Sequence, residues 1–223
     1  TSNQPKKQLA DTNVLRYIKL GETEAFHGRG GSSIPAKRPS CKSHHPYWYS
    51  VSIPSIPPIY WMEMRRERYF TLYNSARLSA DHTFYAVYPK ENINNLALCG
   101  LLNSTMIPLL VEVFANDPGG GGTSLQTPIG ELKRFILVPS SLLNSQEIVN
   151  AFKPYLDRAP LSIIQEVHLS DRHALDSIIF DTLELTQGER DAVYEEVINL
   201  VEARLKKAES LKQPKRLNRI EAA

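Results

Sequence analysis

The sequence contains few cysteines and no long apolar run. Cys41 and Cys99 are the two cysteines among 223 residues, and their different contexts exclude a disulfide framework. No stretch approaches the roughly 20 apolar residues of a membrane-spanning helix. The polar N-terminus, TSNQPKKQ, lacks a signal-peptide core and an initiator Met. We therefore expect a cytoplasmic protein without membrane segments, and a chain cut from a longer polypeptide.

Metal and phosphate-binding signatures are also missing. Cys41, His44 and His45 lie close together, but a structural zinc site needs four ligands, usually in two clusters, and no second cluster exists. The glycines after Pro118 are not followed by G-K-[ST], so they do not form a P-loop and predict a flexible turn instead. We expect no metal site and no catalytic residues in this chain.

The composition is ordinary, but the charged residues are unevenly distributed along the sequence. Hydrophobic residues make up 42% and charged residues 22% of the chain, as in soluble globular proteins. The net charge is +2, but residues 1–90 carry +7, residues 91–203 carry −10 and residues 204–223 carry +5. Clustered Lys and Arg neutralise phosphates. The pattern therefore favours a basic, nucleic-acid-binding half joined to an acidic half.

The stretch 59–104 organises the expected fold. Three short runs rich in aromatic and β-branched residues, IYWMEM, YFTLYN and TFYAVYP, predict strands. The leucines of NLALCGLLNS recur at a helical period. We also predict a strand over YWYSVS, starting at Tyr47, and one around Leu132–Val138.

Helices are predicted on both sides of these strands. The expected starts are Asp11 for a helix that stops at Gly21, Pro108 in the first turn of a second apolar helix, Asn144 with Glu147, Ser170, and Thr186 with Glu189. Residues 22–46 form a long loop, and the last two helices pack as a hairpin. We predict an α+β fold: a small mixed β-sheet recognition domain with flanking helices over 1–140, then a helical C-terminal domain over 141–223.

Four segments resemble one known family. YAVYPK followed by LALCGLLNS, the later GELKRFILVP, and the upstream HHPYWYSV are similar in order and spacing to the TaqI-like C-terminal specificity domain, the target recognition domain of adenine-specific DNA methyltransferases. The segment from Arg172 to Ser210 resembles a helical tail of the larger restriction-modification relatives. The resemblance covers about four fifths of the chain.

The resemblance implies recognition of double-stranded DNA rather than catalysis. Such enzymes transfer a methyl group from S-adenosylmethionine to a flipped adenine, using a cofactor-binding unit and an N-P-P-aromatic motif. This sequence has neither; its one Pro-Pro pair, Pro57-Pro58, follows Ile56. Catalysis and S-adenosylmethionine are therefore expected in a catalytic domain of the parent chain, a partner against which the acidic helices would dock.

The expected DNA contacts are basic or amide side chains on predicted loops and turns. In this family, loops enter the major groove, where Arg pairs with guanine and Asn with adenine, while other groups hold phosphates. The candidates are Lys37, Arg38, Lys42, His44, Arg65, Arg66, Arg68, Asn74 and Arg77. Trp48 and Trp61 could stack on bases, but we interpret them as core residues.

Two other functions remain open. Asp117 followed by Glu131-x-Lys133 on a predicted strand fits the pattern of metal-dependent nucleases, in which carboxylates hold Mg²⁺. Alternatively, the C-terminal helices could form a protein-interaction module, which would show no salt-dependent DNA binding.

Overall fold

Two compact units make up the chain. The computed structural model describes residues 3–28, 30–51, 55–135 and 139–212. The units are Thr1–Ser55 and Ile56–Ala223. The expected boundary near residue 140 lies within the second unit, where residues on both sides of it, such as Trp61 and Leu175, share one hydrophobic core.

The first unit is small and is built around Trp48. Its elements are α1 (Asn13–Thr23), β1 (Phe26–Gly28), β2 (Gly31–Ser33) and α2 (Pro39–Lys42), with 3-10 turns at Lys6–Leu9 and Pro35–Lys37. The β1 and β2 strands pair as an antiparallel hairpin within the expected long loop. The indole N–H of Trp48 donates to Glu22 Oε1 at 2.9 Å.

Three expectations for the first unit are wrong in detail. Helix α1 is capped by Thr12, whose hydroxyl accepts from the Leu15 amide at 3.2 Å, rather than by Asp11. It continues through Gly21 to Thr23; the glycine allows close packing on the Trp48 ring, with which a side chain at 21 would collide. The expected strand from Tyr47 is a turn closed by the bond from the Ser50 amide to the Tyr47 carbonyl; residues 52–54 lie outside the described residues.

The second unit contains the three strands predicted between residues 59 and 88. Strands β3 (Ile59–Met62), β5 (Thr71–Tyr73) and β6 (Phe84–Val87) form an antiparallel sheet in the order β5-β3-β6. Strand β3 is central, with Trp61 opposite Thr71 on one side and Tyr85 on the other. A second ribbon pairs β4 (Met64–Arg65) with β7 (Leu125–Gln126).

Helices cover this sheet and supply most of the core. They are α3 (Asn95–Leu101), α4 (Met106–Phe114), α5 (Ile129–Phe135), α6 (Gln146–Phe152), α7 (Ile163–Glu166), α8 (Ser170–Thr182) and α9 (Gln187–Lys212), with 3-10 turns at Ser140–Leu142 and Lys153–Asp157. Small sheets with many helices confirm the α+β class. No single described helix is long and apolar enough to cross a membrane; α3 and α4, bent by 58°, reach that limit only together.

Among the predicted helix starts, the one at Thr186 is confirmed and the one at Asn144 is wrong. The capping box of Thr186 and Glu189 is present, with the Thr186 amide donating to the Glu189 carboxylate at 2.8 Å. Helix α6 is instead capped by Ser145, because Asn144 accepts from the Asn94 amide at 2.8 Å. The expected hairpin of α8 and α9 has side-chain contact through Tyr194, which packs on His173 and Phe180.

The strand expected around Leu132–Val138 is wrong over its described part. Residues Ile129–Phe135 form helix α5, which starts directly after Pro128. The Pro128 carbonyl accepts from the Glu131 and Leu132 amides at 2.9 and 3.0 Å. The N–H groups at the start of a helix have no intrahelical acceptor, so a proline, which lacks a backbone N–H, loses no hydrogen bond there. Pro128 at this position therefore favours a helix. Residues 136–138 lie outside the described residues.

Asn103 covers the outer edge of strand β5 at Thr71. Its side-chain carbonyl accepts from the Thr71 amide at 3.0 Å, and its amide nitrogen donates to the Thr71 carbonyl at 2.9 Å. The same nitrogen donates to the backbone carbonyl of Cys99 at 2.8 Å. The side chain thus replaces a neighbouring strand and satisfies two buried backbone groups.

A buried ionic cluster fixes α7 and α8. Glu166, 3% exposed, pairs with Arg158 at 2.6 Å and Arg172 at 3.1 Å. Burial alone would raise the pKa of Glu166. The hydrogen bonds from Arg158 and the Leu161 amide, together with the positive charges of Arg172 and Arg158, have the larger effect and hold the pKa below 4.5. Asp176 is also buried and accepts from Thr105; burial raises its pKa.

We expect Asn103→Ala to lower the free energy of unfolding by about 2–5 kcal/mol, because two buried backbone groups each lose a partner at about 1–3 kcal/mol. Asn150→Ala, at an exposed position on α6, is the control and should change stability by less than about 0.5 kcal/mol. Urea denaturation measures both. Equal, small effects would contradict the structural role of Asn103.

Acid should remove the contribution of Glu166. Because its folded-state pKa is depressed, the stability from its charge is present above pH 4.5 and is lost as the pH falls through the lower value. The difference in unfolding free energy between the wild type and Glu166→Gln should therefore shrink below pH 4.5. A difference that stays constant down to pH 3 would contradict this. Glu147→Gln, at an exposed position, is the control of equal charge change and should alter the unfolding free energy by less than about 0.5 kcal/mol.

Candidate functional site

The candidate site is the arginine loop, residues 65–70, which joins β4 to β5. It contains Arg65, Arg66 and Arg68 within four positions, all expected to contact DNA. The structure separates them: Arg65 is 2% exposed, whereas Arg66 and Arg68 are exposed. The loop therefore has a buried anchor and two accessible cations.

Arg65 holds the loop closed from inside. Its guanidinium donates to the Met62 carbonyl at 2.6 Å and to the Phe70 carbonyl at 3.5 Å, and it stacks 3.9 Å from the centre of the Trp61 ring. Burial lowers the pKa of Arg65 to about 9, which leaves it charged at neutral pH. In this position the guanidinium is not accessible to a phosphate or a base, contrary to expectation.

A second buried arginine, Arg204, binds the backbone of the arginine loop. Arg204 on α9 forms, with Glu112 on α4 and Tyr69, what we call the Arg204 cluster. Arg204 pairs with Glu112 at 2.8 Å, with side-chain exposures of 9% and 3%, and donates to Tyr69 Oη at 3.1 Å. It also donates to the carbonyl of Arg66. The cluster thereby connects two helices to the loop backbone.

Charge within the Arg204 cluster is balanced. Burial lowers the pKa of Arg204, but the hydrogen bonds and charge of Glu112 outweigh it and raise that pKa. The Tyr69 hydroxyl donates to Glu112, and burial with the Glu112 charge raises the pKa of Tyr69. The Arg204 guanidinium is therefore charged beside the Glu112 carboxylate, and the Tyr69 phenol is neutral.

The glycine turn after Pro118 packs on the same arginine. Arg204 donates to the Gly122 carbonyl at 3.0 Å, and the Gly122 amide donates to Asp117 Oδ2 at 2.7 Å. Gly122 has a φ of +68°, and a Cβ there would lie 2.7 Å from the Arg204 carbonyl oxygen. The glycine run predicted only a flexible turn. The structure shows that position 122 also requires glycine because the backbone packs closely against Arg204.

The backbone of the arginine loop is thus fixed while its outer side chains are available. The Ile163 amide adds a third support by donating to the Glu67 carbonyl at 2.7 Å. Arg66, 52% exposed, lies 3.1 Å from Glu67. Arg68 forms no ion pair or side-chain hydrogen bond within the part of the chain that the structure describes. Both guanidinium groups can reach an anionic ligand.

The next turn holds a second pair of candidates. Asn74 donates to the Pro57 and Leu78 carbonyls, each at 2.9 Å, and accepts from the Leu78 amide. Its amide group therefore shapes the turn rather than facing a ligand. Arg77 is exposed on this turn with a φ of 52°. This turn follows β5 and the arginine loop precedes it, so the two lie at opposite ends of that strand, as predicted.

In the first unit, Lys37, Lys42 and His44 are exposed. Arg38 is partly buried and bound internally, donating to Ser33 Oγ at 2.9 Å and to the Phe26 carbonyl at 3.5 Å. His44 Nδ1 lies 3.1 Å from the Trp48 carbonyl oxygen. The two lysines thus offer free cations, while Arg38 stabilises the hairpin.

The nuclease pattern is not formed. Glu131 and Lys133 lie on helix α5 rather than on a strand, and Glu131 pairs with Arg134 at 3.3 Å. The Asp117 carboxylate accepts from the Gly122 amide within the glycine turn. Among the described residues, no group of three or more His, Cys, Asp or Glu side chains could hold a metal ion.

Sequence reasoning missed the Arg204 cluster, although a signal existed. Val197, Val201 and Ala208 are buried on α9, and position 204 falls between them at helical spacing, so Arg204 lies on the buried face. Glu112 similarly interrupts the apolar run of α4. An arginine and a glutamate on two apolar faces predict a buried pair, because neither charge is stable alone.

Comparison with family models, with curated proteins and with solved structures gives no match for this chain.

We expect Arg204→Met to lower the free energy of unfolding by about 3–5 kcal/mol, because it leaves Glu112 buried without its partner. Adding Glu112→Leu should recover much of the loss by removing the second charge. Arg190→Met on the same helix is the control and should cost about 1 kcal/mol or less, since its partner Asp181 is 68% exposed. Denaturant unfolding of the three variants tests this; no recovery in the double variant would contradict it.

Proposed function

We propose that this chain recognises DNA for an adenine-specific, S-adenosylmethionine-dependent methyltransferase of a restriction-modification system. The main support is the arginine loop, in which buried groups fix the backbone and leave Arg66 and Arg68 exposed. Sequence-specific contacts need donors held in a defined position, because a bidentate arginine discriminates a base only when its geometry is fixed. The resemblance of the segments around YAVYPK and LALCGLLNS to target recognition domains is the second support.

Different side chains would have different roles on the duplex. Arg66 and Arg68 are the first candidates for base or phosphate contacts, and Arg77 is another. Lys37, Lys42 and His44 would hold phosphates, which position a protein without reading sequence. Arg65, Arg38 and Asn74 would act indirectly, since each binds backbone groups of its own loop or hairpin.

Methyl transfer and base flipping would be carried out by the catalytic domain of the parent enzyme. The C-terminal helices α8 and α9 lie in the acidic part of the chain, where residues 91–203 carry a net charge of −10; we propose that these two helices dock on that domain rather than on phosphates. We expect the protein to act in the cytoplasm, where its DNA substrate lies.

The first experiment is a binding titration against a randomised duplex library at two salt concentrations. Salt-sensitive binding that enriches a short motif would support recognition by this chain. Salt-sensitive binding without enrichment would mean that specificity needs the catalytic domain. If no binding occurs at low salt, the proposal is wrong, and the alternative of a protein-interaction module acting through the C-terminal helices would be favoured.

Removing the exposed arginines should weaken DNA binding. For Arg66→Gln and Arg68→Gln, each lost phosphate contact should reduce the slope of log K against log salt by about 1, whereas a lost base contact should cost about 1–3 kcal/mol and relax the motif. Arg134→Gln, whose side chain is 78% exposed on α5, is the control of equal charge change. Equal effects of Arg68→Gln and Arg134→Gln would mean that only net charge matters.

A further inference from the structure

The arginine loop continues into a strip of side chains with an unusual exposure pattern. Tyr69 and Thr71 are buried at 5% and 4% exposure, whereas Arg68 is exposed, Phe70 is partly exposed and Leu72 is 40% exposed. By their exposure, Arg68, Phe70 and Leu72 form a strip that presents a cation, an aromatic ring and an aliphatic group in sequence, running from the loop into β5.

A cavity of about 160 Å³ lies beside this strip. Its lining includes Phe70 and Leu72 from this strip, and also Tyr155 and Leu156. Leu72 is 40% and Leu156 44% exposed, so part of the apolar lining is open to solvent. The cavity thus offers rings and aliphatic groups for contact with a small planar ligand.

The charged groups of the cavity wall are already paired. Arg158 binds Glu166 at 2.6 Å and Asp171 at 2.6 Å, and Arg172 binds Glu166 at 3.1 Å. A charged ligand would have to compete with these buried pairs. Arg68, at the end of the strip, is the free cation nearest in sequence to the cavity-lining Phe70 and Leu72.

The adjacent strand edge does not favour a peptide as the ligand. Strand β5 is an edge strand of the main sheet, but Asn103 occupies both the amide and the carbonyl of Thr71. An added peptide strand would have to displace those bonds, because β-augmentation depends on free backbone groups.

We infer that the strip and the cavity accept one unstacked nucleobase of bound DNA, with Arg68 holding its neighbouring phosphate. Base stacking on aromatic side chains is sequence-tolerant and contributes enough to alter affinity measurably. A base outside the helix has both an apolar face and an adjacent phosphate, which match the two chemistries of this surface. The inference rests on the proposed DNA-binding function.

The test compares three duplexes of identical sequence: one fully paired, one with a single unpaired nucleotide, and one with an unpaired abasic nucleotide. The wild-type chain should bind the duplex with the unpaired base at least about fivefold more tightly than the other two. The abasic duplex has the same extra phosphate and similar bending, so it isolates the contribution of the base.

Two matched variants locate the effect. Leu72→Gln should abolish the preference and leave the affinity for paired duplex unchanged, because the leucine contacts the base and not the phosphates. Leu183→Gln, also at a leucine 40% exposed but outside the strip and the cavity wall, should retain the preference.

The outcomes separate the inference from the proposed function. Salt-sensitive binding with equal affinity for all three duplexes would overturn the inference and leave DNA recognition intact. A preference that persists in Leu72→Gln would overturn the assigned location. Absence of salt-sensitive binding to any duplex would overturn both.

Discussion

The buried pair of Arg204 and Glu112 is the interaction on which the candidate site depends. A single guanidinium reaches the carboxylate of α4, the phenol of Tyr69, the glycine turn and the backbone of the arginine loop. Arginine suits this position because its planar group has five donors, is always charged and is weakly hydrated. One residue of the last helix thereby fixes surface segments that are distant in sequence.

Buried polar groups recur wherever this unit must hold irregular backbone. Arg65 binds the carbonyls of Met62 and Phe70, and Asn103 takes the place of a neighbouring strand beside Thr71. Each buried polar group is costly without a partner, so such contacts specify a single arrangement more than they add stability. Rigid loops are the expected consequence, and the proposed DNA recognition would require rigidly positioned donors.

The same loop combines fixed and free groups in a way that suits an anionic ligand. Its backbone is bound by Arg65, Arg204 and Ile163, while the guanidinium groups of Arg66 and Arg68 are exposed. A flexible loop would lose conformational entropy on binding, whereas this one is already ordered. The adjoining strip through Phe70 and Leu72 adds apolar contact next to the cations.

The sequence by itself determined the α+β class, the three strands between residues 59 and 88, the helix of Leu96 to Leu101 and the capping box at Thr186. These depend on alternation, helical period and local hydrogen bonds, which neighbouring residues decide. The tertiary structure alone decided that Tyr47 begins a turn, because Trp48 packs on Gly21, and that Arg65 is buried while Arg66 and Arg68 are exposed. Three nearby arginines are equivalent in local sequence. Their environments differ because Arg65 stacks on the buried Trp61, and because Arg204, far along the chain, binds the backbone of Arg66.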